Sequence, residues 1–146
     1  MEFLNLPGHL SSLSTIRDYV KSVAADAGLN KKQAYRLSLA VDEIATNIIV
    51  HGYEEGGLEG EIDIGSSVTD NELAVVIEDT AGPYEPQKID TPSESDLTAP
   101  LIERDIGGLG VFLAIQYVDE FRYMRVEDRN RHTFIMRVNS SNTAEN

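Results

Sequence analysis

The chain has 146 residues, 41% of them apolar, enough for one domain around one core and too many for a disordered chain. Its 25 acidic and 12 basic residues give a formal charge of −13, a field that repels polyanions and argues against DNA or RNA as a direct partner. With no cysteine there is no disulfide framework, thiolate metal site or Cys nucleophile.

The opening MEFLNLPGHL has neither a basic region nor a long apolar run, so no signal peptide is expected there. No apolar stretch reaches the ~18 residues that a membrane span needs. A cytoplasmic protein without membrane contact is the expectation. Residues 2–6 read as a short strand ended by Pro7-Gly8. Leu10, Leu13, Ile16, Val20 and Val23 then recur at helical spacing until Gly28, a residue suited to closing a helix. Asn30 is the expected N-cap of a second helix, KKQAYRLSLAVDEIATNIIVHGYEE, ended by Gly56-Gly57.

Residues 60–68 and 72–79 alternate as two strands around a turn at Asp70-Asn71. From Thr80 to Ile106 no period survives and four prolines intervene, the pattern of a functional lid or a disordered segment. Gly107-Gly108-Leu109-Gly110 then opens a third helix, VFLAIQYVD. Two closing strands are expected at about 120–127 and 132–138, joined by a turn at Asp128-Arg129-Asn130. The polar end, 140–146, reads as a flexible tail to a single domain over 1–139. The fold class is α+β, a two-layer α/β sandwich with a mixed, mostly antiparallel sheet and helices on one face.

Three short constellations carry residues with chemistry. On the second helix, Glu43 and Asn47 are four residues apart and share a face, with His51 a turn further on and Ala40 and Glu54 on the same stripe. An asparagine oxygen suits Mg²⁺, and a nearby glutamate can orient or deprotonate a hydroxyl. The same spacing also arises on the solvated flank of any amphipathic helix. Asp79 ends a strand just before Thr80-Ala81-Gly82, where a carboxylate can accept from an exocyclic amine or merely cap a turn. The glycine run 107–110 brings backbone N–H groups within reach of a phosphate, or serves only as a hinge. Arg104 can reach a phosphate too, while His9 and His132 show no ligand-like neighbours and no zinc spacing occurs.

In chain order these segments resemble a known superfamily. LAVDEIATNIIVHGY, IEDTAGPYEP and GGLGVFLAIQYVDEFRY are similar to three successive boxes of the GHKL (histidine-kinase-like) ATPases, and the resemblance spans nearly the whole chain. It points to the small single-domain branch of anti-sigma factor serine-protein kinases, the RsbW and SpoIIAB type. That resemblance implies a Bergerat-type ATP-binding fold with ATP and Mg²⁺ as cofactors. It implies Glu43 as general base, Asn47 as Mg²⁺ ligand, and Asp79 as acceptor from the adenine amine. His51, Ala81, Gly82, Arg104, Gly107, Gly108, Leu109 and Gly110 would line the nucleotide site beneath a lid at about 87–106. The implied partners are a sigma factor and an anti-sigma factor antagonist phosphorylated on serine, with a homodimer as the common assembly. One departure stands out: the second box usually reads Asp-x-Gly, and here Ala81 replaces that glycine. The alternative reading is a non-catalytic partner-switching module with weak or no nucleotide binding.

Overall fold

The computed structural model describes residues 1–55, 57, 59–82 and 115–138. Strand β1 (Phe3–Pro7) leads through a 3₁₀ turn at Leu10–Ser12 into helix α1 (Leu13–Ala27). The turn is held by the Ser12 hydroxyl, which donates to the Pro7 carbonyl at 2.7 Å. Leu13, Ile16, Val20 and Ala24 form the buried stripe of α1. Gly28 closes the helix at φ 87°, a left-handed conformation natural to glycine. With it, Leu29 N–H donates to Ala24 O and Gly28 N–H to Ala25 O, satisfying two carbonyls that the last turn leaves open.

Helix α2 (Lys31–Asn47) starts where expected. Asn30 Oδ1 accepts from Gln33 N at 2.8 Å and Gln33 Oε1 accepts from Asn30 N at 3.1 Å, a reciprocal capping box. The second half of the expected helix is different. From Ile48 to Glu54 the backbone widens into a π-helix, with Glu55 N–H donating to Val50 O five residues back. Three consecutive β-branched residues (Ile48, Ile49, Val50) and then Gly52 make this a poor α-helical stretch.

Strands β2 (Glu61–Val68), β3 (Glu72–Asp79), β4 (Glu120–Val126) and β5 (Arg129–Arg137) complete the sheet, in the order β1-β2-β3-β5-β4. Every pairing among the described residues is antiparallel, so the expected mixed sheet is here wholly antiparallel. The last hairpin is also tighter than expected. Val126 pairs with Arg129, leaving only Glu127 and Asp128 in the turn, and Arg129 and Asn130 belong to β5. Residues 115–117 are helical, within the expected third helix; the rest of that helix, the lid and the tail lie outside the described residues.

Both helices cover one face of the sheet. Ile16, Leu37, Val41 and Ile44 meet Ile62, Ile64, Leu73, Val75, Ile77 and Phe134 in one fully buried cluster. Residues of opposite parity along the strands carry charge on the other face. Glu78 there accepts from Arg129 Nε at 3.1 Å and Arg131 Nε at 2.6 Å, and Arg129 also pairs with Asp63. Burial opposes the charge on Arg129, but its bonds to Asp63 and Glu78 outweigh that and raise its pKa.

One aromatic ring locks the helical layer to the sheet. Tyr53, on the π-helix and 2% exposed, donates to Glu61 O at 2.8 Å and accepts from Thr80 N–H at 2.9 Å. Its ring fits against two glycines, since a Cβ at Gly60 would lie 2.3 Å from Tyr53 Cε1 and one at Gly8 2.6 Å from Cδ2. Gly60→Ala is therefore expected to lower unfolding stability by about 1–3 kcal/mol in a urea titration, the usual range for overpacking. Tyr53→Phe leaves that space intact and is expected to cost about 1 kcal/mol for the lost hydrogen bonds.

Candidate functional site

A cavity of about 260 Å³ opens where the π-helix passes the end of β3, lined by Asn47, Ile48, His51, Gly52, Asp79, Ala81 and Gly82. Asn47 and Asp79, singled out from segments 32 residues apart in sequence (79 − 47), thus face one space. The helical share of the lining follows from spacing: Asn47 and His51, like Ile48 and Gly52, are four residues apart and share one side of the helix, whereas Tyr53 turns inward. The wider π turn matters for residues further apart, because seven residues no longer make two full turns. Glu54, placed on the Asn47 stripe by α-helical spacing, is exposed and outside the lining. His51 is half-exposed at the rim, where Nδ1 pairs with Glu55.

Asp79 is fully buried and its carboxylate is held by three donors. Oδ1 accepts from Ala81 N–H at 2.9 Å and from Asn130 Nδ2 at 2.8 Å, and Oδ2 accepts from His132 Nε2 at 3.1 Å. The carboxylate only accepts, so the Nε2 nitrogen of His132 carries the proton. Asn130 and His132 are themselves fully buried. Sequence reasoning missed both as partners of Asp79. A signal was present. Phe134 and Met136 set the inward parity of β5, and counting back by twos lands on His132 and Asn130.

Glu43 sits one turn before Asn47 on α2, exposed to solvent and outside the cavity lining. Arg104 and the run Gly107, Gly108, Leu109 and Gly110 lie outside the described residues. Among the described residues no cluster of three or more His, Cys, Asp or Glu is set to hold a metal. A divalent ion here would draw on Asn47 Oδ1 and on oxygens of its own ligand, the manner in which Mg²⁺ commonly binds with phosphates. The site is a small, mainly apolar cleft with a few polar groups: one buried carboxylate acceptor, one amide, the His51 imidazole at the rim and an apolar wall from Ile48, Gly52 and Ala81. At about 260 Å³ it lies just below the roughly 300–1,000 Å³ of pockets that hold a drug-sized ligand.

The Ala81 methyl does not stand free in the cleft. Ala81 is 3% exposed, and a Cβ placed on Gly52 would lie 3.0 Å from the Ala81 Cβ. Glycine on the helix thus makes room for alanine on the loop. Because the loop is held by bonds to Ala81 N and Ala81 O, it has little freedom to retreat. Gly52→Ala is expected to destabilise the protein by about 1 kcal/mol. In an Ala81→Gly background the same change is expected to stabilise by up to about 1 kcal/mol through helix propensity. Thermal denaturation of the four proteins of this cycle measures the coupling directly.

Residues 6–137 match the histidine kinase-like ATPase domain family. The chain is 26% identical over 120 residues to the serine-protein kinase RsbW of Staphylococcus aureus, covering 80% of this chain and 74% of that protein. Its fold is similar to that of the RsbU and RsbW domains of a Mycobacterium tuberculosis protein, with a TM-score of 0.59 and 16% identity. That match covers 94% of this chain and 32% of the other, so the chain spans about a third of its length. A crystal structure of the SiaB–SiaC complex from Pseudomonas aeruginosa is also similar, with a TM-score of 0.57 and 13% identity over 94% of this chain and 90% of that one. The antiparallel sheet backed by two helices, and the family match that runs from β1 to the end of β5, agree: the chain belongs to the histidine kinase-like ATPase domain family.

Proposed function

We propose that this chain is an ATP-dependent serine/threonine-protein kinase of the partner-switching type, which phosphorylates an anti-sigma factor antagonist and also binds a sigma factor. The observation that carries the reading is the single cavity shared by Asn47 and Asp79. Kinship with a serine-protein kinase supports the reaction class, and the similarity to a kinase-like fold solved with a second protein supports a protein partner.

In this reading Asp79 accepts the exocyclic amine of adenine, and Ile48 and Ala81 supply the apolar wall beside the base. Asn47 offers a neutral oxygen to Mg²⁺, whose charge stabilises the transferred phosphoryl group when bound. Glu43 takes the proton of the attacking serine. Its exposure outside the cleft suits it to meet a hydroxyl brought in by another protein. Arg104 and Gly107 to Gly110 complete the proposal at the phosphate end.

The second reading, a non-catalytic module, draws on Ala81 in the place of the usual glycine. The packing of that methyl toward Gly52 weakens it, because the absence of a side chain at Gly52 leaves room for the extra volume.

Transfer of labelled γ-phosphate from Mg·ATP to the cognate antagonist tests the proposal. Glu43→Ala is expected to lower the rate by about 10²–10⁴-fold with nucleotide affinity kept, the typical span for losing general-base catalysis. Equal labelling by this variant would remove Glu43 from the mechanism. Asp79→Asn is expected to weaken Mg·ATP binding at least about tenfold by calorimetry, since it replaces an acceptor with a donor. No heat from the unaltered protein at millimolar nucleotide would favour the non-catalytic reading.

A further inference from the structure

We propose that Asn130 is the positioning residue of this pocket: anchored by Tyr123 and Arg125, it fixes the Asp79 carboxylate so that one oxygen is reserved for the ligand. This rests on the reading of Asp79 as the acceptor from a nucleotide base.

Asn130 is fully buried at the start of β5, directly opposite Asp79 in the sheet register. Its amide group is committed in both directions. Nδ2 donates to Asp79 Oδ1 at 2.8 Å, to Gly82 O at 3.0 Å and to Ala81 O at 3.2 Å. Oδ1 accepts from the Tyr123 hydroxyl and from Arg125 Nη1, the latter at 3.0 Å. Those two donors settle which end of the amide faces Asp79, because only the oxygen can accept them. Arg125 Nη1 also donates to Ala81 O at 3.0 Å, so the β4–β5 hairpin grips the whole 79–82 loop.

The consequence falls on Asp79. With Ala81 N–H and Asn130 Nδ2 both on Oδ1, that oxygen is filled. Oδ2 takes one donor among the described residues, His132 Nε2, and keeps capacity for one more N–H. A carboxylate free to rotate would present either oxygen. One pinned through Oδ1 presents Oδ2 alone, at a fixed angle, to a ligand N–H in the cavity that Asp79 lines. The pocket therefore discriminates by the ligand's amine, and Asn130 supplies that discrimination without touching the ligand.

The test compares ATP with purine riboside triphosphate, which lacks the exocyclic amine, by calorimetry on the full chain. It adds amide hydrogen exchange of Ala81 in the ligand-free protein. The unaltered protein is expected to prefer ATP by about ten- to a hundredfold, the range of one hydrogen bond to a charged group. Asn130→Ala is expected to weaken ATP by about tenfold or more and the amine-free analogue by less than about threefold, bringing the preference close to unity. It is also expected to speed Ala81 exchange at least about tenfold, as Oδ1 loses its anchor. Tyr123→Phe, which keeps the ring beside His132, is expected to shift both readouts the same way by a smaller factor, and it serves alone if Asn130→Ala does not fold. Equal weakening of both nucleotides, or unchanged Ala81 exchange, overturns the proposal and leaves Asn130 a merely structural residue. If the unaltered protein does not distinguish the two nucleotides, the reading of Asp79 as base acceptor fails instead, and Ala81 exchange alone decides whether Asn130 positions the carboxylate.

Discussion

A carboxylate taken fully out of water must find donors inside the protein, and the site is organised around that requirement at Asp79. A buried charged group left without a partner costs more than the roughly 1–3 kcal/mol of an ordinary unsatisfied polar atom. Here the donors come from two directions. Ala81 N–H reaches back from the loop that follows β3, and Asn130 and His132 reach across from β5. The second pair exists only because of register. Asp79 lies opposite Asn130 and Ile77 opposite His132, so a one-residue slip of β5 would turn both donors to the other face of the sheet. The apolar residues that share their parity, Phe134 and Met136, hold that register by filling the core.

The helical wall of the cleft depends on a second constraint. A regular α-helix from Lys31 to Glu55 would carry Asn47 and Glu54 on one stripe, whereas the π-helix over Ile48–Glu54 rotates the chain after Asn47. Glu54 is thus carried off the stripe, while His51 and Gly52 face the end of β3 and the buried Tyr53 bonds Glu61 O and Thr80 N–H. Tyr53 thereby fastens the π-helix to the residue that follows Asp79. The distance between amide and carboxylate is set by the core rather than by a surface loop, which is how a site gains preorganisation. Gly8, Gly52 and Gly60 leave the room that this close packing of helix, loop and strand needs.

Local signals in the sequence carried most of the elements. The alternation of ELAVVIED matched β3 at both ends, and Asn30 and Gly28 acted as the caps their chemistry suggests. Asn47 and Asp79 were legible as one site only through the order of three motifs, since neither residue type is informative alone. What stayed illegible has physical causes. Periodicity analysis assumes 3.6 residues per turn, so a π-helix is invisible to it and Glu54 was misplaced. The last hairpin was drawn two residues too long because Glu127, at φ 56°, takes a conformation for which glycine or asparagine would have been the readable sign. Asn130 and His132 act through a pairing some 50 residues distant, and such registers are set by tertiary packing rather than by neighbours in sequence.

The central claim is that one cleft holds both the base and the metal-bearing end of a nucleotide, with Asp79 and Asn47 as its two poles. A crystal structure of the protein with Mg²⁺ and a non-hydrolysable ATP analogue tests it most directly. The account predicts the adenine amine within hydrogen-bonding distance of Asp79 Oδ2 and the metal coordinated by Asn47 Oδ1. Nucleotide bound elsewhere on the molecule, with the space between the π-helix and β3 filled only by water, would contradict it.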